Sequence, residues 1–250
     1  MIVDLRANGE CPSFYTHDYD TEDICACLRL FEPDSVVLDV GANVGFWTVP
    51  MARVLSGGGK IHAFEPLPSN LKRLRENVRL NGLEGVVEIH EVGLSDKAAT
   101  VEISLREDFS NGSDTGNAAI VIDESDRQFR CTAIAVEALD EVFPSLKLER
   151  LDFAKADIEG HEDKFLAGAS SVISQFRPVL YMEINEPYYT RRGLDATELF
   201  QAWLDSAGYV CALRGPDGWI QRELRLRKPV IDNVLFLPKE RSKEILSKFQ

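Results

Sequence analysis

Cysteine pairing is the first thing missing from this sequence of 250 residues. Its five cysteines (Cys11, Cys25, Cys27, Cys131 and Cys211) are odd in number and none stands in a C-x-x-C pair. That pattern supports neither a disulfide framework nor a zinc site and points to reduced thiols in a cytosolic protein. A long apolar run is missing too. No stretch approaches the ~20 residues of a membrane helix, and MIVDLRANGE has no cleavage site of a secretory leader. A soluble, cytoplasmic protein is expected. Basic residues are in short supply: 28 Lys and Arg against 41 Asp and Glu give a formal net charge of −13. Nucleic acids and anionic membranes are bound through clustered Lys and Arg, so neither partner is expected. Arg191-Arg192 and residues 222–228 read as solvated charged faces. Repeats and low-complexity tracts are absent. A hydrophobic content of 44% suffices for one well-buried α/β domain.

What is present starts at residues 36–45, VVLDVGANVG. Val36, Val37, Leu38 and Val40 read as a strand buried on both faces. Gly41, Asn43 and Gly45 turn the chain, and residues 44–56 read as a helix with Pro50 near its first turns. A strand, a glycine turn and a helix N-terminus aim backbone N–H groups at a ligand, and glycine lets the backbone approach it closely. Residues 60–64 (KIHAF) form a second short apolar strand ending at Glu65-Pro66. Glu65 lies 24 positions after Gly41 (65 − 41), where an acid closing the second strand of a βαβ unit accepts hydrogen bonds from ribose hydroxyls. Together these halves read as a nucleoside site. GANVG is not G-x-G-x-x-G, which disfavours a dinucleotide and with it a nucleotide-dependent oxidoreductase.

The alternation continues along the chain. Residues 66–81 read as a helix with Ser69 as an early cap and Leu71, Leu74 and Val78 as its stripe. Residues 86–92 read as a third strand, and Gly93-Leu94-Ser95-Asp96 as a turn at the carboxyl edge of the sheet. Strands are expected at 99–105 and 130–136, and a short helix at 136–143. Between them 106–130, rich in Ser, Asn, Gly and Asp, reads equally as a lid or as a surface insertion. Strands at 151–157 and 178–184, helices at 162–174 and about 194–207, and strands at 208–213 and 233–237 complete the series. Ahead of it, Thr21 is expected to cap a helix over 22–31 that Pro33 stops. The tally predicts a doubly wound α/β fold with a mostly parallel sheet of about seven strands. Residues 1–35 form an N-terminal helical extension and 36–250 the domain.

VLDVGANVG, the FEP of residues 64–66, and the K-x-D-x-EG-x-E of Lys155, Asp157, Glu159, Gly160 and Glu162 resemble the class I S-adenosylmethionine (SAM) methyltransferases. In detail they resemble the FkbM family of O-methyltransferases. The resemblance spans roughly 36–185. It implies a Rossmann-like fold whose last strand is antiparallel, SAM as cofactor, and a hydroxyl acceptor on a sugar or natural-product scaffold. It further implies that Asp39, Gly41, Asn43 and Gly45 shape the methionine end of the cofactor site. Glu65 then binds the ribose, Ser95 and Asp96 flank the adenine, and Asp157 joins the cofactor set.

Methyl transfer needs an acceptor held in line and a group to take its proton. Asp157, Glu159 and His161 follow one core strand, and Glu183 and Asn185 close the next, so they are expected to converge. His161 is the natural single base, since an unperturbed imidazole titrates near neutrality; the plainer reading is a solvent-facing residue of the first helical turn. Asp157 and Glu159 read alternatively as helix caps, and Glu183 as a partner for backbone or arginine donors. A variant mechanism, as in catechol-type enzymes, places Mg²⁺ on Asp157, Glu183 and Asn185. His62 and His90 fall inside core strands and read as structural, as Trp47 does; His17 lies in the extension within reach of the pocket. N-methylation and a non-catalytic SAM-binding protein are the rival functions. The sequence has no Asp/Asn-Pro-Pro-Tyr/Phe element of the base-directed amino-methyltransferases. A homodimer in which 1–35 closes a neighbour's pocket stays open.

Overall fold

The computed structural model describes residues 1–7, 10–16, 18–106, 110, 112–113, 118–215, 218–226 and 231–249. His17 and residues 107–109, 111 and 114–117 of the stretch 106–130 lie outside the described residues. Two helices, α1 (Glu10–Thr16) and α2 (Thr21–Leu28), precede the first strand. The alternating part follows as β1 (Val36–Val40), α3 (Thr48–Val54), β2 (Lys60–Phe64), α4 (Pro68–Leu80) and β3 (Val87–His90). An excursion adds β4 (Gly93–Ser95), β5 (Ala99–Leu105), β6 (Ala118–Ile120), a 3₁₀ turn at Glu124–Gln128, β7 (Arg130–Ala138) and α5 (Leu139–Leu146). The chain returns through β8 (Phe153–Ala156), α6 (Glu162–Gly168), α7 (Ser170–Phe176), β9 (Val179–Asn185), α8 (Glu186–Arg191) and α9 (Ala196–Ala207). It ends with β10 (Tyr209–Gly215), β11 (Gly218–Gln221), β12 (Ile231–Pro238) and α10 (Ser242–Ser247).

The main sheet has eight strands in the order β11-β10-β12-β9-β8-β1-β2-β3, one more than expected. The extra strand, β11, pairs antiparallel with β10. As expected, β12 runs antiparallel to its neighbours β9 and β10. The sheet from β9 through β8 and β1 to β3 is parallel. β1 is central, and all five of its residues are buried. Val36, Leu38 and Val40 face one apolar cluster and Val37 the other. Burial on both faces is why this strand shows no polar alternation.

The excursion corrects a second expectation. Residues 93–95 are not a turn but β4, whose Gly93, Leu94 and Ser95 pair with Val136, Glu137 and Ala138 of β7. With β5 and β6 they make a separate four-stranded sheet, ordered β4-β7-β5-β6. Ile103 and Leu105 alternate on β5, as Ile134 and Val136 do on β7, so each strand has one apolar face to bury. These four and Leu67 form a small core of their own.

Several helix limits move for identifiable reasons. The helix expected from residue 44 starts at Thr48, because Gly41, Asn43 and Gly45 all have positive φ (78°, 50° and 97°) and hold the chain in a turn. Pro50 is the third residue of α3, where its missing N–H costs no helical bond. The expected helix over 162–174 is two helices. Asp140 accepts from the N–H groups of Ser171 (2.9 Å) and Val172 (3.0 Å), giving α7 its own N-terminal partner. Just before the break Gly168 lies against β4, where a Cβ would come within 1.9 Å of the Ser95 carbonyl oxygen. Thr21 does not cap α2; it is the first helical residue, behind Asp20. Ser69 likewise lies inside α4, which opens on Pro68. Among the described residues no helix is long and apolar enough to cross a membrane.

Candidate active site

At the end of β1 the chain crosses the carboxyl edge of the sheet. The N–H groups of Gly41 and Ala42 both donate to the Phe64 carbonyl at 3.0 Å, tying the glycine turn to β2. Gly41 is required by close approach as well as by φ: a Cβ there would sit 2.1 Å from the Asp157 carbonyl oxygen. Glu65, at the end of β2, is buried in the same corner. Its Oε2 accepts from the Asn43 N–H (2.9 Å) and its Oε1 from the Leu67 N–H (2.9 Å). Burial pushes its pKa up to about 7 against these stabilising bonds. Asn43 Oδ1 is buried and finds no hydrogen-bond partner among the described residues.

These groups line a cleft of about 750 Å³, counting its open mouth, between the main sheet and the four-stranded sheet. Of the expected site residues, Gly41, Asn43, Glu65, Asp157, Glu159 and His161 line it. Its other wall is apolar, made by Ile103, Ala118, Ile120, Ile134 and Val136. The sequence reading missed that wall, although the period-2 alternation on 99–105 and 130–136 signals it. Gly93 and Leu94, not Ser95 and Asp96, face the cleft. Ser95 Oγ instead contacts His161 Nε2 at 2.9 Å, and Asp96 pairs with Lys164 at 3.2 Å. The reason is the strand at 93–95: its alternation turns Leu94 inward.

Asp39 also lies behind the site. It is fully buried, with Oδ2 accepting from Thr48 Oγ1 at 2.5 Å and Oδ1 3.7 Å from Lys155 Nζ. Lys155 in turn donates to the Gly41 carbonyl at 3.0 Å and lies 3.3 Å from Asp157. Burial works against the Lys155 charge, but Asp157 and Asp39 outweigh it and raise its pKa. This lysine therefore welds the ends of β1 and β8 together. Gly45 acts through its backbone, with a Cβ position 2.9 Å from Leu74 Cδ1.

The expected convergence of acids is present in part. One carboxylate oxygen each from Asp157, Glu159 and Glu183 lies within 4.8 Å of the others. Asn185 joins through Glu159, its Nδ2 lying 3.5 Å from Oε2. Burial, then the Asp157 charge, raises the Glu159 pKa to about 8; the Asp157 charge, then burial, raises that of Glu183. Glu159 is held at a φ of 55°, followed by Gly160, whose Cβ position is 2.2 Å from Tyr188 Cβ. Glu162 closes this loop by accepting from the N–H groups of Ile158 (3.0 Å) and Gly160 (3.3 Å). Burial lowers the His161 pKa to about 4, leaving the ring neutral. Two aromatic residues stand near these acids. Tyr188 bonds Glu159, which the sequence did not signal. Tyr19 belongs to the polar, aromatic segment 13–20, which reads from sequence equally as pocket wall or as surface packing. Burial, and then nearby carboxylate charge, raises both phenol pKa values.

A family model described as a methyltransferase FkbM domain matches residues 39–211. A curated relative, methyltransferase 1 of Beauveria bassiana, is 24% identical over 221 residues, covering 82% of this chain and 83% of its own length. Among solved structures, methyltransferase FkbM of Methylobacillus flagellatus superimposes with a TM-score of 0.52 at 20% identity, over 83% of this chain. This chain spans 44% of that protein's length. A Streptococcus mutans protein in complex with SAH superimposes with a TM-score of 0.52 at 12% identity, over 88% of this chain and 98% of its own. These likenesses between structures establish the fold.

Proposed function

The chain belongs to the FkbM methyltransferase family, and from that premise we propose that it transfers the methyl group of SAM to a hydroxyl of a small molecule, a sugar or a natural-product scaffold. The observation that carries the cofactor is the corner of Glu65 and Asn43. A buried carboxylate already oriented by two backbone N–H groups, beside an unpartnered amide oxygen, suits a ligand that brings hydroxyl and amino donors. The apolar wall opposite suits a flat purine face. Gly41 and Asn43 would hold the methionine end and Glu65 the ribose. The residues present therefore fit SAM, which supplies an electrophilic methyl group when bound. The SAH held by the Streptococcus mutans protein supports the same reading.

The chain's own residues supply the acceptor chemistry. We assign the base to Glu159 in preference to His161. A carboxylate with its pKa raised to about 8 accepts a hydroxyl proton better than an imidazole lowered to about 4. His161, held on Ser95, then shapes the wall. Glu183 has a carboxylate oxygen within 4.8 Å of one on Glu159, and Asp157 stays paired with Lys155. The grouping of Asp157, Glu159 and Glu183 favours a second reading, in which Mg²⁺ binds there and acidifies the acceptor. Activity that persists in EDTA would eliminate it.

Calorimetry with SAM, SAH and NAD⁺ tests the cofactor. Binding of the first two and not the third is expected, and binding of neither would overturn the proposal. SAH formation with a panel of sugars and glycosides tests the reaction. Glu159→Gln should bind SAH like wild type and turn over about 100-fold more slowly. SAM binding without SAH formation on any hydroxyl acceptor would favour a non-catalytic protein.

A further inference from the structure

The cofactor turn has little stiffness of its own, because glycine takes positive φ at no steric cost but takes many other conformations as readily. Gly41, Asn43 and Gly45 alternate at positive φ, and the residues around such a turn must hold it in place. The three residues that follow Gly45 are each pinned by a different group. Thr48 donates to the buried Asp39. Trp47 Nε1 donates to Asp20 Oδ2 at 3.1 Å. Phe46 lies face to face with Tyr19, with ring centroids 4.1 Å apart and planes 9° from parallel. Two of the three pins thus come from the segment ahead of β1.

That segment is itself anchored. Asp23 of α2 accepts from Tyr181 Oη at 2.9 Å on β9 and from Asn233 Nδ2 at 3.2 Å on β12, and it pairs with Arg214 of β10. Trp47 packs on the same Tyr181 ring at 4.5 Å. Between anchor and turn, Asp20 sits in the left-handed region at φ 48°, which Asp and Asn tolerate better than other non-glycine residues. Neither Tyr19 nor Asp20 lines the cleft.

We propose that Tyr19 and Asp20 are positioning residues for the cofactor, acting through Phe46 and Trp47 to hold the GANVG turn in its binding conformation. This rests on the cofactor reading above. The segment ahead of β1 then completes the site of its own chain. Nothing in this role needs the Tyr19 hydroxyl; the ring is what stacks. Nor does it need the charge of Asp20, only an acceptor for the indole N–H and tolerance of a left-handed backbone, which asparagine has.

The test is SAH affinity by calorimetry, with a thermal melt of each ligand-free variant. Tyr19→Ala should raise the SAH Kd at least tenfold, while Tyr19→Phe stays within threefold of wild type. Asp20→Ala should weaken binding severalfold and Asp20→Asn should restore it. Trp47→Phe, which keeps an aromatic ring in the buried place beside Tyr181 and removes the indole N–H that bonds Asp20, covers the case in which the alanine variants fail to fold. It should weaken binding about as much as Asp20→Ala. Wild-type affinity in Tyr19→Ala or in Trp47→Phe would overturn the proposal, as would equal losses in Tyr19→Phe and Tyr19→Ala. Failure of the wild-type protein itself to bind SAH would instead overturn the cofactor reading, and this inference with it.

Discussion

A carboxyl group buried like Glu65 titrates late, and the direction of its shift makes two opposite predictions. Its pKa rises from 4.5 to about 7 on burial. The stability this group contributes is therefore present below pH 4.5 and is lost as pH rises through about 7. The loss is at most about 3 kcal/mol. Melts of the ligand-free protein from pH 5 to pH 8 should show wild type losing stability relative to Glu65→Gln. Cofactor affinity should run the other way, because the ionised carboxylate is the better acceptor for ribose hydroxyls. SAH affinity should rise about tenfold over that range. In Glu65→Gln it should be weak and flat, and a flat wild-type profile would remove Glu65 from the ribose site. Gly41 makes a steric prediction. Its Cβ position 2.1 Å from the Asp157 carbonyl, at φ 78°, should make Gly41→Ala about 2–4 kcal/mol less stable. Urea unfolding checks this, and a variant as stable as wild type would show that β1 and β8 separate freely there. Both positions were legible in the sequence because a strand end followed by Gly or by Glu-Pro has few other uses. The neutrality of His161 was not, since it depends on burial against β4.

Elements were more legible than their limits. Apolar runs and helical stripes marked β1, β2, α4 and α9, because each buries a face that its own residues define. The ends were set by partners distant in sequence. The split between α6 and α7 is the clearest case, since α7 starts on the side chain of Asp140, about 30 positions away. Replacing Asp140 by Ala removes that cap and should cost about 1 kcal/mol. The urea midpoint should fall with an unchanged slope, and no change would show that α7 holds its start through packing alone. The four-stranded sheet escaped the reading for a similar reason. β5 and β7 alternate visibly, but β4 and β6 are three residues long, and β4 gains its identity only by pairing with β7.

At the scale of the whole molecule, the cleft exists because two sheets face each other. Glu65 and Asn43 come from the main sheet, and Ile103, Ile120, Ile134 and Val136 from the small one. Ile134→Asn, on the cleft wall, should therefore weaken SAH binding at least about tenfold, since a polar group would face the ligand without a partner. Far-ultraviolet circular dichroism should remain that of wild type. Unchanged affinity would mean that the small sheet does not touch the cofactor. The sequence by itself determined the parallel core, the glycine turn and the acid at the end of β2. Those features are local: a strand buried on both faces is apolar, and a turn at positive φ favours glycine and asparagine. Tertiary structure decided which acids lie together, that Lys155 ties β1 to β8, that an apolar sheet covers the cleft, and that Tyr19 and Asp20 reach the glycine turn. Each of these depends on distances between residues far apart in the chain, and burial and pairing exist only once the chain has closed on itself.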